Sequence, residues 1–265
     1  NVPLRQWEFH DLLFHSRSRM GRHRHPFGGT WRFSGALPPL PALKPPMSTQ
    51  RITLHHPDLQ ALETSDASFS HVSEARCSVR ERGEKTISAA QLGEFLHRSA
   101  RMKELRAADP ENPRSYDVAL GPCASGGALH ELELYLAVWS CAGLEPGLYH
   151  YDPMAHELEL LTGLGPGQRQ LLFGACQSSG TETPPDVLIN IAARFQRASW
   201  KYQSMAYALI LKNAGALYQQ MYLVATAMNL APCGLGGGNS DLFAEAANLD
   251  YWEETSVGEF MLSGR

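Results

Sequence analysis

The sequence predicts an α+β fold, a sandwich in which a mostly antiparallel sheet is flanked by helices. Two patterns support this class. Strand-like segments follow one another at hairpin spacing in the middle of the chain, and the stretch from Trp200 to Leu230 has the apolar spacing of a long helix. Strands that pair with their sequence neighbours and are covered by helices are typical of α+β proteins.

The stretch Trp200 to Leu230 is predicted to form one continuous helix, because it contains no proline and a single glycine, Gly215. Apolar residues such as Leu217, Met221 and Val224 recur at helical spacing. At ~1.5 Å per residue the helix would be roughly 45 Å long. We therefore expect it in the core or at a subunit interface.

Lys201 and Tyr202 stand in the first turn of this predicted helix. A lysine there faces the positive end of the helix dipole, which disfavours the charged ammonium. Such a lysine can be tuned toward a general base. The alternative is a solvated lysine beside a packed tyrosine.

The strands of the predicted sheet begin with a meander. Glu133 to Ser140 alternates apolar and polar residues, and Gly147 to Tyr151 and Glu157 to Leu161 flank a turn at Asp152. Asp186 to Ala193 has the composition of a buried strand, and Val257 to Ser263 is predicted to be the final strand.

Several shorter helices are predicted around the sheet. The clearest begins after Ser88, because Ser88 and Gln91 form a capping-box pattern, and it is expected to run from about Ala89 to Leu105. The others are expected within these segments: 7–18, 58–63, 163–172 and 241–248.

The segment Leu37 to Pro46 contains five prolines and is predicted to be an extended arm or linker. Such an arm is stabilised only by lying on another surface, either the main body or a partner subunit. The sequence thus divides into an N-terminal arm with a proline-rich linker, residues 1–57, and a main domain, residues 58–265.

Composition limits the classes of partner. The chain of 265 residues has a net charge of -4, which argues against a nucleic-acid or anionic-membrane binder. The histidines lack neighbouring carboxylates or cysteines at ligand spacing, so we expect no metal site. The five cysteines include no Cys-x-x-Cys pair. No apolar run is long enough for a membrane span, and we expect a cytoplasmic protein.

Two features suit a phosphorylated ligand. Arg76, Ser78 and Arg80 alternate, so in an extended segment their side chains lie on one side and can bind a phosphate. The alternative is a solvated edge. Gly121 to Ala128 and Ala231 to Ser240 are predicted to be small-residue loops whose backbone N–H groups can approach a ligand.

From Arg76 onward these motifs resemble the nitroreductase superfamily, and within it the SagB/ThcOx-type dehydrogenases, the azoline oxidases of thiazole and oxazole biosynthesis. The resemblance rests on Arg76-Cys-Ser-Val-Arg80, on Cys123-Ala-Ser-Gly-Gly-Ala-Leu-His-Glu-Leu-Glu133, on Gly143-Leu-Glu-Pro-Gly-Leu-Tyr-His-Tyr-Asp-Pro153, and on Lys201-Tyr202 followed by Gly234-Leu-Gly-Gly237.

The resemblance implies an FMN site. By resemblance, Lys201 and Tyr202 take part in catalysis, as the base or its orienting partner. The residues that would contact the cofactor are Arg76, Ser78, Arg80 and Arg265 at the phosphate and ribityl chain, and Ser125, Gly126, Gly127, Gly236 and Gly237 at the flavin ring.

This sequence departs from the family pattern beside the expected flavin ring. Cys123 and Ala124 stand where the family has a tyrosine followed by a proline, and His130 and Glu131 stand where it has a second tyrosine followed by a proline. These changes are compatible with FMN but leave the substrate open.

The resemblance implies an FMN-dependent oxidase that converts thiazolines or oxazolines to thiazoles or oxazoles in a peptide or carrier-tethered natural product. It further implies a homodimer with flavin sites at the interface and the long helix at its core. Two alternatives stay open: an NAD(P)H-dependent nitro- or quinone reductase, and a catalytically weak scaffold for a cyclodehydratase or assembly-line protein.

Overall fold

The structure is a computed structural model that describes residues 2–265. Eleven strands are assigned in this part of the chain. Their bounds are β1 Gly28–Gly29, β2 Arg51–Thr53, β3 Glu104–Arg106, β4 Val118–Leu120, β5 Leu132–Val138, β6 Gly147–Asp152, β7 Glu157–Gly163, β8 Val187–Arg194, β9 Tyr202–Gln203, β10 Ala231–Leu235 and β11 Glu254–Ser263.

The α-helices of the same residues surround these strands, and two short 3-10 helices lie at Pro3–Gln6 and Gly126–Ala128. The α-helices are α1 Phe9–Arg17, α2 Leu59–Ser65, α3 Phe69–Ala75, α4 Ala89–Ala100, α5 Pro166–Ser179, α6 Phe195–Ser199, α7 Ala206–Ala227 and α8 Ser240–Ala247.

Seven strands form one sheet in the order β10-β11-β8-β5-β6-β7-β2. Every neighbouring pair in this sheet is antiparallel. The meander predicted from the alternation in β5 and from the turn at Asp152 between β6 and β7 is therefore confirmed. The α+β class with a mostly antiparallel sheet is confirmed as well.

The two faces of the sheet carry separate cores. On β5, Leu134, Leu136 and Val138 face one way and pack with residues of α4 and α7. Tyr135 and Ala137 face the other way and pack with residues of α5 and α8. This division follows from the period of two along a strand, and it places α7 and α5 on opposite sides of the sheet.

The prediction of one continuous helix from Trp200 to Leu230 is wrong. Helix α6 ends at Ser199, and α7 begins only at Ala206. Between them Tyr202 and Gln203 pair with the N-terminal segment β1. Ser204 then has a φ of +64°, and a residue in the left-handed region cannot continue a right-handed helix. Helix α7 has 22 residues and is ~33 Å long.

Two other boundaries differ from the predictions. The capping box at Ser88 and Gln91 is confirmed, but α4 ends at Ala100 instead of Leu105, because the chain turns to the extended conformation at Arg101. Residues Ala231–Leu235, predicted as the first half of a glycine loop, form strand β10 beside β11.

The proline-rich arm lies on the main body of its own chain. Trp200 Nε1 donates a hydrogen bond to the carbonyl of Leu37 at 2.7 Å, and Arg197 Nη1 donates to that of Leu40 at 2.6 Å. Lys44 Nζ contacts the Tyr135 hydroxyl at 2.7 Å. Beyond the prolines, β2 joins the main sheet at β7. The division at residues 57 and 58 stays a prediction.

No helix within residues 2–265 combines the length and apolar character needed to cross a membrane. Across the same residues, no group of three or more His, Cys, Asp or Glu side chains is arranged to hold a metal ion.

Candidate functional site

Lys201 lies in a half-buried cluster of aromatic side chains in the turn between α6 and β9. Its Nζ donates a hydrogen bond to the hydroxyl of Tyr116, which itself donates to the carbonyl of Gly127 at 2.8 Å. The ammonium lies 4.7 Å from the ring centroid of Tyr116 and 5.0 Å from that of Tyr202. Trp31, from the N-terminal segment, adds a third ring at 5.9 Å.

The surroundings of Lys201 favour its charged form. Burial lowers the pKa of Lys201, but hydrogen bonds to the hydroxyls of Tyr116 and Tyr202 outweigh burial, so that the net pKa is raised. The prediction that Lys201 lies in the first turn of the long helix is wrong, because Lys201 precedes α7 and lies in a turn; its catalytic role stays a prediction. The side chain is a cation at neutral pH and acts as a hydrogen-bond donor.

Gly127 joins the small-residue loop to this cluster. Its φ is +68°, and a Cβ built there would lie 2.6 Å from the Tyr202 hydroxyl and 2.9 Å from Lys201 Nζ. Only a residue without a side chain leaves room for both groups. The structure thus brings the predicted catalytic pair, Lys201 and Tyr202, into contact with the predicted flavin-binding loop Ser125–Gly127.

Buried polar residues hold the same loop on α7. Gly126 N–H donates to Asn213 Oδ1 at 3.0 Å, and Asn213 Nδ2 donates to Glu131 Oε1 at 2.7 Å. The Ser125 hydroxyl accepts from His130 N–H at 2.9 Å. Glu131 is fully buried, and burial raises its pKa despite the hydrogen bond from Asn213. Two positions that depart from the family pattern, His130 and Glu131, therefore fix the loop.

Arg76, Ser78 and Arg80 form a second group near the C-terminal half of α7. The hydroxyls of Ser78 and Tyr222 are 2.8 Å apart, and the guanidinium of Arg76 lies 5.3 Å from the Tyr222 ring centroid. Arg80 is close enough to Cys233 to affect its thiol. Burial raises the pKa of Cys233, and the charge of Arg80 lowers it in part.

These cations are available to an anion. Arg76, Arg80 and Arg265 form no salt bridge with any residue from 2 to 265. Arg265 instead donates a hydrogen bond to Asn229 Oδ1 at 3.1 Å, just beyond the end of α7. Unpaired guanidiniums beside a hydroxyl fit the phosphate of a nucleotide cofactor.

Gly236 and Gly237 lie in the loop that follows β10. No atom approaches the position of a Cβ at either residue, so the backbone there is open. The loop borders a cleft of about 410 Å³ whose other wall is α7, at Leu211, Gly215 and Tyr218. A planar ring would find apolar and backbone contacts in this cleft.

The predicted flavin contacts form two groups within one chain. The Ser125–Gly127 loop is bound to Asn213 of α7, whereas Ser78 contacts Tyr222 of the same helix. These helix positions are nine residues apart (222 − 213), which corresponds to ~13 Å along the axis and about half a turn around it. The two groups therefore lie on opposite faces of α7.

No pattern in the sequence singled out Tyr116. It lies 85 positions before Lys201, in an irregular segment without apolar periodicity. Asn213 did leave a signal in the sequence, because it interrupts the apolar series Leu209, Leu217 and Met221 at intervals of four. In the structure it is 6 % exposed, and a polar residue buried in this way needs a hydrogen-bond partner.

Comparison with known proteins identifies the class. The sequence profile described as the nitroreductase family matches residues 74–262, and the profile of the cyanobactin oxidase ThcOx matches residues 1–24. The chain belongs to the nitroreductase family.

Two curated relatives bear on the branch of the nitroreductase superfamily that the chain resembles. The chain is 28% identical to the microcin B17-processing protein McbC of Escherichia coli over 135 residues, 49% of the chain. It is 30% identical to a candidate nitroreductase of Methanocaldococcus jannaschii over 112 residues, 42% of the chain. The chain spans about half the length of these relatives, 48% of the E. coli protein and 56% of the M. jannaschii protein. The ThcOx and McbC matches support the predicted SagB/ThcOx-type branch.

Solved structures agree on the fold. A candidate nitroreductase from Ralstonia eutropha has a TM-score of 0.61 at 21% identity, with 91% of this chain and 98% of that chain covered. A chain of the E. coli microcin synthetase McbBCD complex with truncated pro-MccB17 bound has a TM-score of 0.56 at 19% identity, covering 100% and 97%. A candidate NAD(P)H:FMN oxidoreductase from Staphylococcus epidermidis has a TM-score of 0.50 at 10% identity, with 75% of this chain and 87% of that chain covered.

Proposed function

We propose that the protein is an FMN-dependent oxidoreductase that dehydrogenates thiazoline or oxazoline rings in a peptide-derived natural product. The observation that carries the proposal is the contact of Lys201 and Tyr202 with Gly127, because it joins the predicted catalytic pair to the predicted flavin-binding loop. The likeness to McbC and to the ThcOx profile supports the substrate class.

The residues present fit FMN. Arg76, Ser78, Arg80 and Arg265 would hold its phosphate and ribityl chain, since three of them are unpaired cations. Gly236 and Gly237 would contact the ring from the cleft beside α7. When bound, FMN supplies an acceptor for the hydride that leaves the azoline carbon.

The separation of the two groups of contacts supports a homodimer. If one chain provides Arg76 to Arg80 and Gly236 to Gly237, the Ser125–Gly127 loop of a second chain can complete the site. The outer face of α7 is apolar and exposed at Tyr207, by 48 %, and at Leu211, by 37 %. A second copy of α7 would cover this face.

The chain's own residues would remove the proton. Aromatisation of an azoline takes a proton from one ring position and a hydride from another, so a base is required. We assign the base to the Lys201 and Tyr202 pair: the proton would pass to whichever of the two, the Tyr202 phenolate or the Lys201 amine, has first lost its own proton, and the other residue would orient it.

Turnover of a thiazoline peptide tests the proposal. The purified protein is expected to show flavin absorbance, and Lys201→Ala and Tyr202→Phe to lower turnover by roughly 10² to 10⁴-fold while retaining that absorbance. Lys103→Ala and Tyr251→Phe, at exposed positions, serve as matched controls. Unchanged turnover in both site variants would remove the assigned base.

An NAD(P)H-dependent nitro- or quinone reductase is the second candidate, favoured by the match to the general nitroreductase profile. Such an enzyme would use the same flavin site and would be reduced rapidly by NAD(P)H. Its activity would not depend on Lys201 or Tyr202, so the same two variants separate the candidates.

The proposed partners are inferred from the similarity to McbC and to the ThcOx profile. We propose that the substrate is an azoline-containing peptide or carrier-tethered chain, and that a cyclodehydratase or assembly-line protein delivers it. A catalytically weak scaffold role in such a complex is distinguished by purified protein that takes up no FMN.

A further inference from the structure

A second cleft lies on the side of the sheet opposite α7. It has a volume of about 780 Å³ and runs between α5, the sheet and the loop after β10. Leu171, Leu188 and Leu235 form its apolar walls, and Ser178 closes one end by donating a hydrogen bond to the carbonyl of Gly237 at 3.2 Å. Of the residues proposed above to contact FMN, only Gly237 lines this cleft.

The floor of the cleft carries one charged group, Glu259 of β11. Its side chain is 6 % exposed, and a Cβ at Gly238 would lie 2.2 Å from its carboxyl carbon. No lysine, arginine or histidine lines the cleft, and no salt bridge to Glu259 forms within residues 2–265. Burial raises the pKa of Glu259, and a hydrogen bond from the Ser256 hydroxyl offsets part of that increase.

Asn190 adds a buried acceptor that has no partner among the described residues. It is the direct cross-strand neighbour of Glu259, it is 1 % exposed, and it lines the same cleft. Its Nδ2 donates to the carbonyl of Tyr135 at 3.4 Å, whereas its Oδ1 has no hydrogen-bond partner within residues 2–265. Buried acceptors left without donors are costly, and a buried carboxylate needs a counter-charge.

We propose that this cleft binds a basic side chain, an arginine or a lysine, of a polypeptide. The charge of Glu259 and the carbonyl oxygen of Asn190 are complementary to a guanidinium or ammonium group, and the leucine walls suit the apolar stem behind such a group. The cleft shares Leu235, Gly237, Gly238 and Glu259 with the cleft beside α7, whereas its α5 wall, at Leu171 and Gly174, lines this cleft and not the other. Binding at the α5 wall can therefore be tested without turnover, and titration with excess FMN separates it from binding in the cleft beside α7.

Binding of two tripeptides tests the proposal. The probes are acetyl-Leu-Arg-Leu-amide and its citrulline counterpart, which has nearly the same shape without the charge, titrated into the full chain by calorimetry with and without excess FMN. We expect saturable binding of the arginine peptide and binding of the citrulline peptide weaker by about tenfold or more.

Two variants locate the binding. Glu259→Gln is expected to remove the preference for arginine, and Gly174→Leu to block the cleft, because Gly174 of α5 lines it and has open space at its Cβ position. Glu245→Gln, on the exposed surface of α8, is the matched control. The proposal is overturned by absent binding, by equal affinity for both peptides, by unchanged binding in both cleft variants, or by displacement with FMN.

Discussion

Gly127 is the residue at which the small-residue loop meets Lys201 and Tyr202, the predicted catalytic pair. Its backbone conformation and the close approach of Tyr202 and Lys201 both require a glycine. The sequence motif singled out this glycine and the lysine-tyrosine pair, but it did not predict their contact. Tyr116, which completes the cluster, could not be predicted, because only tertiary packing brings its irregular segment to Lys201.

Gly127→Ala is expected to destabilise the protein by about 1–2 kcal/mol, since an L-residue in the left-handed region carries that cost, and to displace the Tyr202 hydroxyl. Denaturant unfolding measures the loss. Gly174→Ala is the control, because its helical position is open and alanine there is expected to stabilise by ~0.4–1 kcal/mol. Equal effects of both substitutions would contradict the crowding at Gly127.

Tyr116→Phe is expected to lower the pKa of Lys201, because the hydrogen bond that raises it is removed. Turnover is expected to fall by roughly tenfold to a hundredfold, since the ammonium is no longer held in place. NMR of the Lys201 side chain across alkaline pH measures the shift directly. Tyr251→Phe should leave the titration unchanged, and an unaltered Lys201 titration in Tyr116→Phe would exclude this positioning role.

At the scale of elements, local signals predicted most of the fold. Alternation predicted β5, the turn at Asp152 predicted the pair β6 and β7, apolar composition predicted β8, and the serine-glutamine box predicted the start of α4. The prediction failed between Ser199 and Ala206, because the break there depends on pairing with Gly28–Gly29, far away in sequence, and on the left-handed Ser204. Apolar periodicity carries no information on either cause.

Helix α4 contains a histidine that is expected to make stability depend on pH. His97 lies beside His56 and His156, with ring centroids 5.3 and 4.9 Å away. Burial, and then the charge of Arg101, lower its pKa to about 4. The unfolded chain, with a histidine pKa near 6.5, binds the proton first, so stability is expected to fall as pH drops from about 6.5 to about 4.

Urea midpoints at pH 7.5 and 4.5 check this dependence. His97→Asn is expected to reduce the difference between the two midpoints, and His71→Asn, at an exposed position of α3, to leave it unchanged. His156, whose pKa is also lowered by burial, retains part of the acid sensitivity in the variant. An undiminished difference in His97→Asn would show that the stability loss arises elsewhere.

At the scale of the whole molecule, α7 is buried on one side by the sheet and exposed on the other. Its length and apolar composition pointed to an interface, and its exposed Tyr207 and Leu211 fit that expectation. The separation of the two groups of predicted cofactor contacts across this helix could not be predicted from the sequence, because the order of motifs along the chain does not report the face of α7 that each motif contacts.

Leu211→Glu is expected to convert a dimer into single 29.2 kDa chains and to release FMN, because a charge in an apolar interface is costly. Analytical ultracentrifugation and flavin absorbance measure the two effects. Phe173→Glu is the control, since Phe173 is 47 % exposed on the opposite side of the sheet. A flavin-loaded monomer of the unmodified protein would rule out the interface site.

The proline-rich arm has a consequence for solubility that is separate from any chemistry. By placing Arg51–Thr53 along β7, it covers the strand edge whose unpaired N–H and C=O groups would otherwise be a template for strands of other molecules. The new outer edge is three residues long and carries Arg51, which pairs with Glu157 and Glu159. The arm thereby protects the sheet from edge-to-edge aggregation.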